Sequence, residues 1–131
     1  MEIIVLDTYA LIKWLTGESG HDIVANYLRT GDIYMSSVNF GETYYRLAKS
    51  GLRNEAENLW INKDLFPITY IHPNWRRIRQ AAEVKANYAV SYADAFCISL
   101  ALELEARIIT GDPEFKNIKG IELIWVGENW A

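Results

Sequence analysis

Cysteine is almost absent: Cys97 is the only one in 131 residues. No intramolecular disulfide can form, so the composition points to a reducing compartment, the cytoplasm, with Cys97 as a small buried hydrophobe. Histidine is nearly as scarce. His21 and His72 stand far from each other and from Cys97, without the spacing of a zinc site, and no serine, histidine and acid arrangement suggests a nucleophilic triad. No apolar run approaches the roughly 20 residues of a membrane span. The early one, Ile3 to Leu6, is cut by Asp7 and lacks the basic stretch that opens a secretion signal. Repeats, low-complexity tracts and linkers are missing. Positive charge is short as well: 13 Lys and Arg against 17 Asp and Glu leave a net charge of −4. A protein that holds nucleic acid by broad phosphate neutralisation shows the opposite balance. Any RNA or DNA partner would have to be met by a local device.

What is present is a globular composition, half hydrophobic with 23% charged residues. A chain of this length buries about two thirds of its unfolded surface, enough core for one domain over residues 1–131. Ile3 to Leu6 is a continuous, β-branched apolar run, as expected of a strand buried on both faces of a parallel sheet. Tyr9 to Leu15 reads as a helix ending near Gly17, and Ser19 caps a second that carries Ile23, Val24, Tyr27 and Leu28 on one side. Ile33 to Met35 is a second strand. Asn39 to Glu42 has the form of a capping box that opens a helix from Tyr44 to Lys49, and a further helix covers about Asn54 to Asn62. Ile68 to Ile71 is a third strand, and a helix follows from His72-Pro73-Asn74 to about Tyr88. Ser91 to Asp94 forms another capping box. The helix it opens is apolar around almost its whole circumference, through Ala95, Phe96, Ile98, Leu100, Leu102 and Leu104, and should therefore be buried. Arg107 to Thr110 and Leu123 to Val126 complete five strands. Strands separated by helices, with no tight hairpin signal, predict an α/β fold: a parallel sheet flanked by helices, with right-handed crossovers.

In such sheets ligands bind beyond the carboxyl ends of the strands. Asp7 follows the first strand and Asp112 the fourth. Asp94 lies in the first turn of the helix leading into that fourth strand, and Glu42 in the helix after the second. Each position also suits helix capping, which needs no metal and contributes about 1 kcal/mol. Capping does not demand carboxylates, however, since serine, threonine and asparagine serve as well. Four anions on one edge would repel each other without a counterion, and Mg2+ or Mn2+ prefers such hard oxygen donors. Setting these four acids aside leaves thirteen residues of each sign, so the acidity of the chain can be assigned to one pocket.

Four segments carry a resemblance: Val5 to Ile12 (VLDTYALI), Ser36 to Glu42 (SSVNFGE), Ser91 to Phe96 (SYADAF) and Ile109 to Phe115 (ITGDPEF). They resemble the motifs of the PIN-domain ribonucleases, most nearly the small single-domain toxins of VapBC toxin–antitoxin pairs, in the family's order and spacing from Ile3 to Phe115. The resemblance implies a metal-dependent endoribonuclease that hydrolyses RNA phosphodiester bonds to 5′-phosphate and 3′-hydroxyl ends. Carried over, the catalytic pocket is Asp7, Glu42, Asp94 and Asp112, with Asp7, Asp94 and Asp112 as ligands of Mg2+ or Mn2+ and Thr8 and Thr110 as hydroxyl support. It also implies a homodimer and a cognate antitoxin laid across the pocket. There are two departures. Glu114 stands where the family often has a second aspartate, and its longer side chain is expected outside the metal's immediate shell. Tyr9 is bulkier than the small residue usual there and is expected to narrow the pocket mouth.

Cations for the substrate are sought at Arg76 and Arg79, which share a helix face beside Trp75, and at Arg46 with Lys49 and Arg53. Of five tryptophans, Trp60 and Trp130 are candidates for surface positions. A receiver domain would show an adjacent acidic pair after an early strand, and a haloacid-dehalogenase-type phosphatase a second aspartate at the position of Tyr9; neither is present. The remaining rival is a catalytically silent PIN-like domain that binds RNA or protein, against which the intact acid set argues.

Overall fold

The first strand, β1 (Ile3–Leu6), shows why its sequence alternates nothing. Ile4 and Leu6 enter one core while Val5 enters a second on the opposite face, so both sides of the strand must be apolar. The computed structural model, which describes residues 1–128, builds a five-stranded parallel sheet from β1, β2 (Asp32–Ser36), β3 (Ile68–Ile71), β4 (Arg107–Thr110) and β5 (Leu123–Trp125) in the order β3-β2-β1-β4-β5. Trp130 lies outside the described residues. Helices α1 (Thr8–Thr16), α2 (His21–Thr30), α3 (Ser37–Lys49) and α4 (Arg53–Ile61) contribute to the core that contains Ile4 and Leu6. Helices α5 (Trp75–Asn87) and α6 (Tyr92–Leu104) build the core around Val5 and Ile108. The apolar circumference of α6 has the expected consequence: every residue from Ala95 to Ala101 is buried.

Two consequences of this topology place the site. The chain moves outward from β1 to β2 to β3, then returns to the other side of β1 for β4, so the sheet reverses direction between β1 and β4 and leaves a crevice beyond their carboxyl ends. Register then sets the depth of that crevice. Leu6 pairs with Ile109, which brings Asp7, the next residue, level with Thr110.

The start of α3 differs from the sequence expectation. Ser36, the last residue of β2, is the N-cap, its Oγ accepting from Val38 N at 3.2 Å, so strand passes into helix with no loop. Asn39 and Glu42 therefore sit inside the helix and not at its cap. By contrast Ser91 caps α6 as expected, accepting from Asp94 N at 3.1 Å.

The last turn of α6 carries a strained residue. Glu105 has φ of 52°, the only non-glycine in the left-handed region among the described residues. Glycine adopts that conformation without steric cost. Glu105→Gly is expected to raise stability by up to about 1 kcal/mol, read as a higher urea midpoint with unchanged slope. A lower midpoint would show that the glutamate side chain contributes more than its backbone costs.

Candidate active site

Asp7 is 3% exposed at the end of β1. It is the N-cap of α1, its Oδ1 accepting from Ala10 N at 2.7 Å, while Oδ2 accepts a short hydrogen bond from Thr110 Oγ1. The Thr110 hydroxyl in turn accepts from Asp112 N at 3.0 Å. One side chain thus ties the acids after β1 and β4 together. Asp112 caps a short 3-10 turn, Pro113–Asn117, by accepting from Glu114 N at 2.9 Å. Capping and site-building are therefore performed by the same carboxylates and do not compete.

Glu42 lies one turn further along α3 than Asn39. Its Oε1 is 2.5 Å from Thr8 Oγ1, and its Oε2 is 3.7 Å from Arg46 Nε. Thr8 also reaches the Asn39 carbonyl at 3.1 Å, so its single proton is shared between two acceptors. Asp94, in the first turn of α6, completes the group.

Among the described residues, three carboxylates bring oxygens within 4.8 Å of one another: Asp94, Asp112 and Glu114. Asp7 and Glu42 stand close enough to this trio to raise the Asp94 pKa by charge repulsion. The five acids predicted or discussed from sequence thus meet on one edge, but in a different arrangement. Glu114, expected outside, joins Asp94 and Asp112 because the 3-10 turn folds it back toward α6. Its position two residues after Asp112 was the available signal. Asp7 lies behind the trio, both oxygens already holding hydrogen bonds.

The electrostatics follow from that packing. Burial pushes the Asp7 carboxyl up to about 7, opposed by its two hydrogen bonds and reinforced by Asp112 and Glu42. Asp94 rises to about 8, first through burial, then through a hydrogen bond with Glu114 and repulsion from Asp112, Glu42 and Asp7. Two carboxyls share a hydrogen bond only when one keeps its proton. Asp94 therefore holds a proton at neutral pH that a divalent cation would displace. The donor set is all oxygen and anionic, the chemistry that suits Mg2+ or Mn2+.

The cations divide sharply. Arg46 belongs to the site, paired with Glu42 and within the electrostatic reach of Asp94. Arg76 acts instead on Glu103, which Arg77 also grips through Nε and Nη2 at 3.1 and 2.9 Å. Glu103 is nine residues along α6 from Asp94, roughly 13 Å at the helical rise. Arg79 lies further along α5, exposed. Helix periodicity gives Arg76 and Arg79 a shared face but not its distance from another element. Trp75 is 85% exposed on the same helix. Tyr9 packs over Gly111, and a Cβ on that glycine would lie 2.2 Å from the ring.

A PIN domain family model matches residues 4–121. By sequence, no curated protein matches. Solved structures share the fold. The chain is similar to VapBC2 from Rickettsia felis, bound to a DNA fragment from its promoter, at 18% identity, TM-score 0.72, over 93% of this chain and 97% of that one. It is similar to DNA-bound VapBC from Salmonella typhimurium at 18% identity and TM-score 0.70, over 95% and 98%. A third is VapC20 from Mycobacterium tuberculosis, described as a sarcin-ricin loop cleaving toxin, at 16% identity and TM-score 0.71, over 83% and 89%.

Proposed function

The chain belongs to the PIN domain family, and from that premise we propose that it is a metal-dependent endoribonuclease, the toxin of a toxin–antitoxin pair. The observation that carries the proposal is the meeting of Asp94, Asp112 and Glu114 oxygens within 4.8 Å, beside Asp7 and Glu42 at the sheet's switch point. Asp94, Asp112 and Glu114 would hold Mg2+ or Mn2+, with Asp7 contributing negative charge from beneath. When bound, the cation supplies charge neutralisation for a phosphodiester and acidifies water for in-line attack. The protein's own part is positioning. Thr110 fixes Asp7 and the Asp112 backbone as one unit, and Thr8 holds the Glu42 carboxylate through Oε1. Arg46, paired with Glu42, would meet the substrate phosphate.

The toxin reading draws on the structural neighbours, which are toxin–antitoxin complexes and a toxin. It carries a cognate antitoxin, a homodimer and a cytoplasmic location with it. No helix among the described residues is long and apolar enough to cross a membrane.

The test is cleavage of structured RNAs by wild type and Asp94→Asn with Mg2+, Mn2+ or EDTA. Wild type is expected to cut only with metal, and the variant to be slower by roughly 100-fold or more. Cleavage indifferent to EDTA, or equal in both proteins, would overturn the nuclease reading in favour of a binding module.

A further inference from the structure

Asn39 is 1% exposed, and a polar side chain buried this deeply is costly unless its groups are used. Its Nδ2 donates to the Ala93 carbonyl at 2.9 Å, across the interface between α3 and α6. Ala93 immediately precedes Asp94. The backbone carbonyl of Asn39 accepts from Thr8 Oγ1 at 3.1 Å and from Thr43 Oγ1 at 2.8 Å. Thr8 immediately follows Asp7, and Glu42 lies one helical turn beyond Asn39. One residue therefore touches all three elements that bring in Asp7, Glu42 and Asp94.

Packing alone does not account for an asparagine here. Its Oδ1 is buried and has no hydrogen-bond partner in the structure, a cost that a leucine of similar branching would avoid. What leucine lacks is the Nδ2 donor, the atom that fixes the first turn of α6 against α3. We infer that Asn39 is a positioning residue: through Ala93 it holds the first turn of α6, and with it the Asp94 carboxylate that the metal site uses, in place against α3 and Thr8. The inference rests on the nuclease reading above and adds to it a residue that touches neither metal nor substrate.

The experiment uses the full chain, Mn2+ alone as the binding probe, and the RNA that wild type cuts. Free Mn2+ is followed by electron paramagnetic resonance, and cleavage is resolved into kcat and KM. Asn39→Leu keeps the branched shape without the donor, and Asn39→Ala removes both. Thr43→Val loses a hydrogen bond to the same Asn39 carbonyl but keeps the Asn39 Nδ2 bond to Ala93, and so reports loss of stability without loss of the donor. Both Asn39 variants are expected to weaken Mn2+ binding and lower kcat by about tenfold or more, with KM within about twofold. Thr43→Val is expected to lower the unfolding midpoint and leave both quantities near wild type. An Asn39→Leu protein with wild-type Mn2+ affinity and kcat overturns the inference, as does a Thr43→Val protein impaired as much as Asn39→Ala. A wild type that neither binds Mn2+ nor cuts with it overturns the nuclease reading, and this inference with it.

Discussion

Asp7→Asn is expected to abolish cleavage and yet, in EDTA at pH 8, to be more stable than the wild type. The folded protein raises the Asp7 pKa to about 7 from an ordinary 3.8, chiefly by burial. A raised carboxyl favours the protonated form in the fold. Its stabilising effect is complete below pH 3.8 and disappears as pH climbs through about 7, because the folded state must then bury a charge that the unfolded state leaves in water. At about 1.4 kcal/mol per pKa unit, the cost above pH 7 is on the order of 4 kcal/mol as an upper figure. Asparagine never incurs it. Its Oδ1 keeps the bond from Ala10 N, and its amide donates to Thr110 Oγ1, which has lone pairs for this and for Asp112 N. Urea unfolding at pH 4 and pH 8 measures the effect: the gap between the two proteins should be small at pH 4, widen steadily between pH 4 and 7 and be full at pH 8. Mn2+ should narrow the gap by stabilising the wild type, since a ligand that binds only the folded state stabilises it. A variant less stable than wild type at pH 8, or a gap of equal size at both pH values, would sink this account of the buried carboxylate.

Gly111→Ala should destabilise the protein by about 3 kcal/mol or more. The reason is close approach and not backbone strain. A Cβ at Gly111 would stand 2.2 Å from Tyr9 Cε1 and 2.7 Å from the Cα of Gly127, and a Cβ at Gly127 would stand 2.7 Å from the Gly111 carbonyl oxygen. Two glycines thus let the ends of β4 and β5 touch beneath the Tyr9 ring. The ring could turn aside, but the Gly127 backbone could not without moving β5. Because Asp112 is the next residue, the same shift should disturb the acid trio, so a surviving Gly111→Ala fold should also bind Mn2+ more weakly. Adding Tyr9→Ser should recover only part of the loss, since it frees one of the two obstructed sides. Complete recovery in the double variant, measured by urea midpoint, would place the whole clash on Tyr9. A Gly111→Ala protein as stable as wild type would show that the β4–β5 contact yields easily.

How much of this was legible beforehand differs from element to element. β1 and β4 were readable with their ends because runs such as IIVL and RIIT, bounded by acids and glycine, have few alternatives. The helix opened by Ser91 was equally clear from its capping serine and apolar circumference. Asn39 was misread for a physical reason. An asparagine three residues before a glutamate satisfies the local rule for a cap, but Ser36 had already taken that role at the strand end, freeing Asn39 to reach Ala93, 54 residues away. Side-chain length alone places Glu114 outside the metal's immediate shell, and it does not show that the 3-10 turn brings its carboxylate within 4.8 Å of Asp94 and Asp112. Arg76 and Arg79 are both exposed on α5, and it is Arg77, between them, that reaches Glu103 on α6.

The sequence by itself determined the strand and helix alternation, and with it the parallel sheet and the edge on which the acids had to lie, because hydrophobic period and strand-end chemistry are local properties of the chain. Tertiary structure alone decided which acids share a site, which cation faces them and how strongly Asp7 and Asp94 hold their protons. Those depend on distances and burial between elements far apart in sequence: the pairing of Leu6 with Ile109, the reach of Thr110 to Asp7, the span from Asn39 to Ala93.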